Sequence, residues 1–245
     1  MKLIRALALI ALGATAGAAQ AEISGTVTAV SDYDFRGISQ TSTGPALQGS
    51  LDWSSEGGFY LGAWGSNVDF GDCCDENIEI DLYGGFRGGE TITYDVGGIW
   101  YAYPGADSID YPEIYASVGW NWLSAKVWYS WDFGNTDEDA MYYEANASIP
   151  FGETGLGLGL HVGYSDGDYW DTLYGGGYTD YSIGLTYALS HFTFGLKWVD
   201  GSDLDDLDDF CQDIGNDCTG VDRDVFSTDG RFIVSVSTAF PWSKE

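Results

Sequence analysis

Positive charge is scarce in this chain. Nine lysines and arginines stand against 38 aspartates and glutamates, a formal net charge of −29. So few cations cannot neutralise a phosphate backbone, which excludes nucleic acid as a partner. They supply no polybasic segment for an anionic lipid surface either. Only five prolines occur, and the 35 glycines are scattered through apolar segments, so neither residue marks a linker or a second domain. The two histidines, His161 and His191, lack metal spacing, and no phosphate loop, dinucleotide fingerprint or Gly-x-Ser-x-Gly elbow occurs. The chain is therefore expected to be no enzyme and to carry no cofactor or metal. Beyond the first 21 residues no run approaches 18 apolar residues, so no transmembrane helix is expected.

The first 21 residues form a secretory signal. Lys2 and Arg5 make a basic start, Leu3 to Ala14 is mainly apolar, and Ala19-Gln20-Ala21 suits signal peptidase. Cleavage after Ala21 is expected, leaving one mature domain from Glu22 to Glu245. Loss of Lys2 and Arg5 makes the mature chain still more acidic. Such a balance favours cations or divalent bridging, or simply keeps outer loops soluble.

What the chain does have is alternation. In Leu123–Phe133 the odd positions are Leu123, Ala125, Val127, Tyr129, Trp131 and Phe133, and the even ones Ser124, Lys126, Trp128, Ser130 and Asp132. Strand side chains alternate faces with period 2, so one face is greasy and the other mostly polar. The pattern recurs over about twelve segments, near 23–37, 45–55, 58–68, 77–88, 90–103, 112–122, 123–133, 139–150, 154–166, 178–189, 191–200 and 224–240. The segment 58–68 is ambiguous, since both faces mix glycine with apolar residues. Connections near 38–44, 69–76, 104–111, 134–138, 167–177 and 201–223 are mostly long, and those near 56–57, 89, 122–123, 151–153 and 190 are tight. Long loops on one side and short turns on the other are the mark of an outer-membrane barrel. The expected fold is an all-β, transmembrane, antiparallel up-and-down barrel of about twelve strands with both termini in the periplasm.

The polar faces then line the lumen. They carry Asp32, Asp34, Arg36, Asp52, Glu79, Asp81, Arg87, Asp95, Glu113, Lys126, Asp132, Glu144, His161, Lys197 and Arg231, together with Gln48, Ser50 and Asn146. Five of the mature basic residues fall in that set, leaving only Arg223 and Lys244 elsewhere. A charge facing lipid at midplane costs about 2–4 kcal/mol, so this face points inward. The lining admits two readings: a pore whose excess carboxylates favour cations, or a charge-paired network that plugs a closed barrel. A narrow pore is expected. His161 reads as a hydrogen-bonding lumen residue.

The strand segments SDYDFRGISQT (31–41), PALQGSLDWSSEGGFYLGAWGSNV (45–68), EIDLYGGFRG (79–88), TYDVGGIWYAYPG (93–105), PEIYASVGW (112–120) and LGLHVGYSDG (158–167) carry a resemblance. The chain resembles the TorF-type family of porins, proteobacterial outer-membrane β-barrels, over about residues 23 to 240. Arg36–Gly37 and the Tyr94–Gly97 run are its most family-like features. The resemblance implies an outer-membrane barrel and says little about substrate. One departure is the tail Pro241–Glu245, which comes after the aromatic Phe240 where many such chains end.

Four cysteines sit in expected loops of an exported chain, where disulfides are permitted. Cys211 and Cys218 are expected to pair. Cys73 and Cys74 are adjacent, and sequence leaves their partners open. The acidic run Asp203, Asp205, Asp206, Asp208 and Asp209 lacks EF-hand spacing and reads as a solvated loop, with a divalent bridge to lipopolysaccharide phosphates as the sharper alternative. The function expected is passive diffusion of small hydrophilic solutes, with preference for cations, across the bacterial outer membrane. The partners expected are membrane lipid, lipopolysaccharide and the solutes. The alternative is a non-conducting barrel with a structural or adhesive role through its acidic loops. Oligomeric state is open.

Overall fold

Alternating side chains and unpaired strand edges together demand closure, because an open edge leaves a row of backbone donors and acceptors unmet. The computed structural model, which describes residues 22–71, 77–105, 109–202 and 226–242, shows that closure. Twelve strands form one antiparallel barrel, each paired with its sequence neighbour and the last with the first. They are β1 (Glu22–Val30), β4 (Ala46–Ser54), β5 (Phe59–Asn67), β6 (Ile78–Gly88), β7 (Ile92–Ala102), β8 (Tyr111–Trp120), β9 (Leu123–Ser130), β10 (Ala140–Pro150), β11 (Leu156–Asp166), β12 (Tyr178–Leu189), β13 (Phe192–Ser202) and β14 (Arg231–Phe240). Two short strands, β2 (Asp34–Phe35) and β3 (Ile38–Ser39), pair apart from the barrel. One helix, α1 (Asp168–Tyr174), sits in the connection after β11. The seam pairs Gly25 with Phe240 and Val30 with Ser235. A Cβ at Gly25 would lie 2.7 Å from the Phe240 ring, so glycine permits that closure.

The outer face is apolar along the middle of the strands. Leu47, Leu51, Phe59, Leu61, Leu82, Val96, Trp120, Ile183, Leu185 and Val234 are exposed there. A continuous apolar belt of this kind is untenable in water and suited to lipid. Segment 58–68 resolves cleanly: Phe59 and Leu61 face out, while Tyr60 and Ser66 are buried inside.

The loops sort as expected. Five connections of two to five residues, such as 121–122 and 151–155, close one end. At the other end the strands are joined by the six longer connections, of which 31–45, 131–139 and 167–177 are described throughout. Three expected boundaries shift. The last strand begins at Arg231, the strand after Leu123 ends at Ser130, and β1 ends at Val30. The second shift takes Phe133 off the outer face and buries it in a 3-10 turn. It also takes Asp132 off the lumen wall, where its Oδ1 accepts the Asp137 amide at 2.8 Å to hold that turn. The third shift produces the functional site. The N-terminal segment to Ala21, Cys73, Cys74, Cys211, Cys218 and the acidic run 203–209 lie outside the described residues.

Candidate functional site

At Ser31 the chain leaves the wall. Ser31 exchanges hydrogen bonds with Val234, its amide to the carbonyl and its Oγ from the amide, both 2.9 Å. Beyond it, residues 32–41 fold into the lumen. Asp32 organises the segment: its Oδ1 accepts from Ser39 Oγ at 2.5 Å and from Thr41 Oγ1 at 3.1 Å. β2 and β3 then form a two-residue hairpin in which Phe35 opposes Ile38. The central residues Arg36 and Gly37 have φ of 52° and 86°. Positive φ at both positions is what a type I′ hairpin needs, and glycine supplies the second without strain. Gly37 has a further reason to be glycine. A Cβ there would lie 2.8 Å from the Asp180 Cβ on β12.

The segment is pinned to walls all round. Arg231 on β14 donates through Nε to Asp32 and through Nη2 to Asp34 at 3.2 Å. Lys197 on β13 reaches Asp34 at 2.7 Å. Arg36 Nη2 donates to Glu113 on β8 at 2.6 Å. Tyr33 donates to Glu79 on β6 at 3.2 Å. Tyr178 on β12 and Arg231 donate to the carbonyls of Arg36 and Gly37, at 2.9 and 3.0 Å. Burial, with Glu79 beside it, holds the Tyr33 hydroxyl well above the usual tyrosine range, so it stays a donor. Asp32, Tyr33, Arg36, Ser39, Gln40 and Thr41 are all buried. Alternation alone put Asp32, Asp34 and Arg36 on the first wall strand. The structure places them on this inward segment, because β1 pairs only as far as Val30.

Above the segment, at the loop end, the lumen is filled by aromatic rings. Phe35 packs on Tyr101, Tyr101 stacks on Tyr111 at 4.6 Å, Tyr111 meets Phe133, and Phe133 meets Trp170, which meets Tyr178. Offset and edge-on contacts at these spacings are favourable beyond their buried area. The expectation of a polar lumen fails here. Tyr101, Tyr103 and Tyr111 sit on inward positions that alternation alone assigned to no core.

Towards the turn end the lumen is polar and open. Two cavities of about 500 and 390 Å³ share Asp34, Asn146, His161, Ser182 and Lys197. The expected residues Asp52, Glu79, Asp81, Asp95, Glu113, Lys126, Glu144, His161, Lys197 and Arg231 all lie on inward strand positions, and Arg87 opposes Asp95 in register. The partners of the carboxylates are the unexpected part. Asp52 accepts from the Tyr83 hydroxyl, Asp95 from Tyr60 at 2.6 Å, and Glu113 from Tyr101 at 3.0 Å as well as from Arg36. Asp180 accepts from Tyr142 at 2.9 Å, and Glu144 from the Trp128 indole at 2.8 Å. Tyr60 also bonds Tyr115. A phenol satisfies a carboxylate without cancelling its charge.

His161 sits among these groups, with Nδ1 2.7 Å from Asn146 and Nε2 2.8 Å from Asp180. Lys126 lies over Tyr115 and Trp128, 3.8 and 3.6 Å from the ring centres. Asp180 is a lumen residue that the sequence pattern did not single out. Its parity with Ser182 and Gly184, opposite the apolar Tyr181 and Ile183, was the signal that could have found it.

Among protein families, the model of a bacterial family of unknown function, Gcw_chp, matches residues 14–240. No protein of curated function matches the sequence. Among solved structures, the chain is similar to the NanC porin, with a TM-score of 0.54 and 10% identity over 88% of this chain and 98% of that one. It is also similar to the KdgM porin in complex with disordered oligogalacturonate, with a TM-score of 0.52 and 11% identity over 89% and 98%. The shared feature at this identity is the fold, a porin-type barrel.

Proposed function

The chain belongs to the Gcw_chp family, and from its porin-type barrel we propose that it is a narrow outer-membrane porin for small hydrophilic solutes that favours cations. The observation that carries this reading is the set of carboxylates held by neutral donors. Asp52 and Asp95 bond phenols, and Glu144 an indole and an amide, so these charges are spatially fixed and only partly offset by Arg87 and Lys126, which stand opposite Asp95 and Glu144 in register. Fixed carboxylates in a confined, low-dielectric passage attract cations and repel anions. A polyanion such as oligogalacturonate would meet repulsion in this lumen. The TorF-type resemblance agrees with the porin reading. The signal segment, cleaved after Ala21, would deliver the chain to the outer membrane, with lipid and lipopolysaccharide around it.

One observation favours the alternative of a non-conducting barrel. The segment 32–41 contacts strands on several sides of the lumen at once. Bilayer recording separates the two. Refolded protein in a KCl gradient should give channels with a reversal potential on the K⁺ side. Folded barrels that show no conductance would establish the plugged alternative.

A further inference from the structure

The inward hairpin presents one side chain that resembles a ligand more than a strut. Arg36 sits at the tip of a two-residue turn, its backbone in the left-handed region at φ 52°. Its guanidinium is enclosed by parts of the wall. Nη2 donates to Glu113 at 2.6 Å, and Tyr101 orients the same Glu113 oxygen from 3.0 Å. The planar group lies 4.4 Å from the Tyr142 ring centre and 5.6 Å from that of Trp128, with Phe35 at 4.7 Å. Carboxylate plus aromatic faces is the chemistry that recognises guanidinium, through charge-assisted hydrogen bonding and cation–π attraction. Glu113, Tyr101, Trp128 and Tyr142 belong to β8, β7, β9 and β10, so the wall builds the site and the hairpin only occupies it.

The occupant fits imperfectly. Nη1 is buried yet has no hydrogen-bond acceptor. A fork meant to bond on both arms bonds here on one, because the hairpin fixes where the group can sit. The 390 Å³ cavity is lined by Arg36, Trp128 and Tyr142 and continues past Glu144 and Asp180, so the site lies on the solute path.

We propose that the wall cage of Glu113, Tyr101, Trp128 and Tyr142 is a binding site for guanidinium-bearing solutes, filled by Arg36 when the passage is free of solute. This deepens the porin reading and rests on it. A solute guanidinium entering from the turn-side cavity competes with Arg36 for Glu113. Displacing Arg36 frees the hairpin tip and widens the passage.

Vacating the cage by substitution tests the site directly. Arg36→Ala barrels, shown folded by heat-modifiable migration, should bind methylguanidinium in calorimetric titration. Methylammonium at the same concentration should bind at least about tenfold more weakly, since it lacks the planar donor face. Adding Glu113→Gln to that variant should abolish the heat. If Arg36→Ala does not fold, Arg36→Gln serves, being polar and of similar length. Absence of methylguanidinium binding in a folded variant overturns the proposal, as does equal binding after Glu113→Gln. In bilayers, Arg36→Ala should conduct at least about twofold more than wild type, because a bulky side chain leaves the constriction. Methylguanidinium should lower that conductance. Calorimetry requires no conduction, so a wild-type barrel that fails to conduct sinks the porin reading while leaving the cage to be judged on its own binding.

Discussion

A tyrosine on a lumen position does what a lysine cannot: it holds a carboxylate in place and leaves its charge standing. Tyr83 with Asp52 and Tyr60 with Asp95 repeat that arrangement on different strands. The acids that face Arg231 and Lys197, Asp32 and Asp34, do not share it. Two sets of substitutions should therefore behave differently. Changing Asp52, Asp95 and Glu144 together to Asn, Asn and Gln should move the KCl reversal potential towards zero. Changing Asp32 and Asp34 to Asn should act mainly on the hairpin, raising conductance with little loss of selectivity. If the second set alone abolished cation preference, the phenol-held acids would not be the selective ones. Glu113→Gln is different again. It leaves the buried Arg36 guanidinium without its counter-charge, a loss of about 3–5 kcal/mol when one partner of a buried pair is removed. Denaturant unfolding in detergent should show it. At this scale parity was legible: Glu79, Glu113, Glu144 and Lys197 are inward as alternation required. The tyrosines were not, because a side chain with an apolar ring and a polar tip fits either face until its hydroxyl finds a partner.

An element's end is harder to read than its middle. Residues 23–37 alternate apart from Val30 and Ser31, so the sequence suggested one long strand. The barrel wall needs only as far as Val30, and Ser31 closes the pairing with Val234. The path of residues 32–41 is decided by contacts distant in sequence, with Glu79, Glu113, Lys197 and Arg231, and no local pattern encodes those. One local sign was present. Arg36–Gly37 stood out as a pair, and the structure explains it as the centre of a tight hairpin with positive φ at both residues. Gly37→Val should then dislodge the hairpin while the barrel persists. The new side chain meets the left-handed backbone and the Asp180 Cβ together, and a β-branched residue suits neither. The expected outcome is unchanged heat-modifiable migration with larger and noisier channel openings. A conductance equal to wild type would show that the hairpin does not set the constriction.

The whole molecule is inside out relative to a soluble barrel, and that inversion can be tested without recording a current. Leu82 is exposed near the middle of β6, and Ile92 is exposed at the turn end of β7. In water an arginine at either position would be welcome, since each replaces an exposed apolar side chain with a charged one. In a bilayer the cost depends on depth, about 2–4 kcal/mol for arginine at the midplane and about 0–1 near the interface. Leu82→Arg should therefore destabilise the barrel in lipid vesicles by that larger amount, with Ile92→Arg close to wild type, both read from reversible unfolding in denaturant. The sorted loops set the direction of the same argument. The connections at 55–58, 89–91, 121–122, 151–155 and 190–191 share the end that holds both termini of the described chain, so Ile92 lies at one interface and Leu82 between the two. Equal and negligible costs at both positions would mean that the apolar belt faces something other than lipid. A depth-graded cost would tie the outward half of the alternation to the membrane.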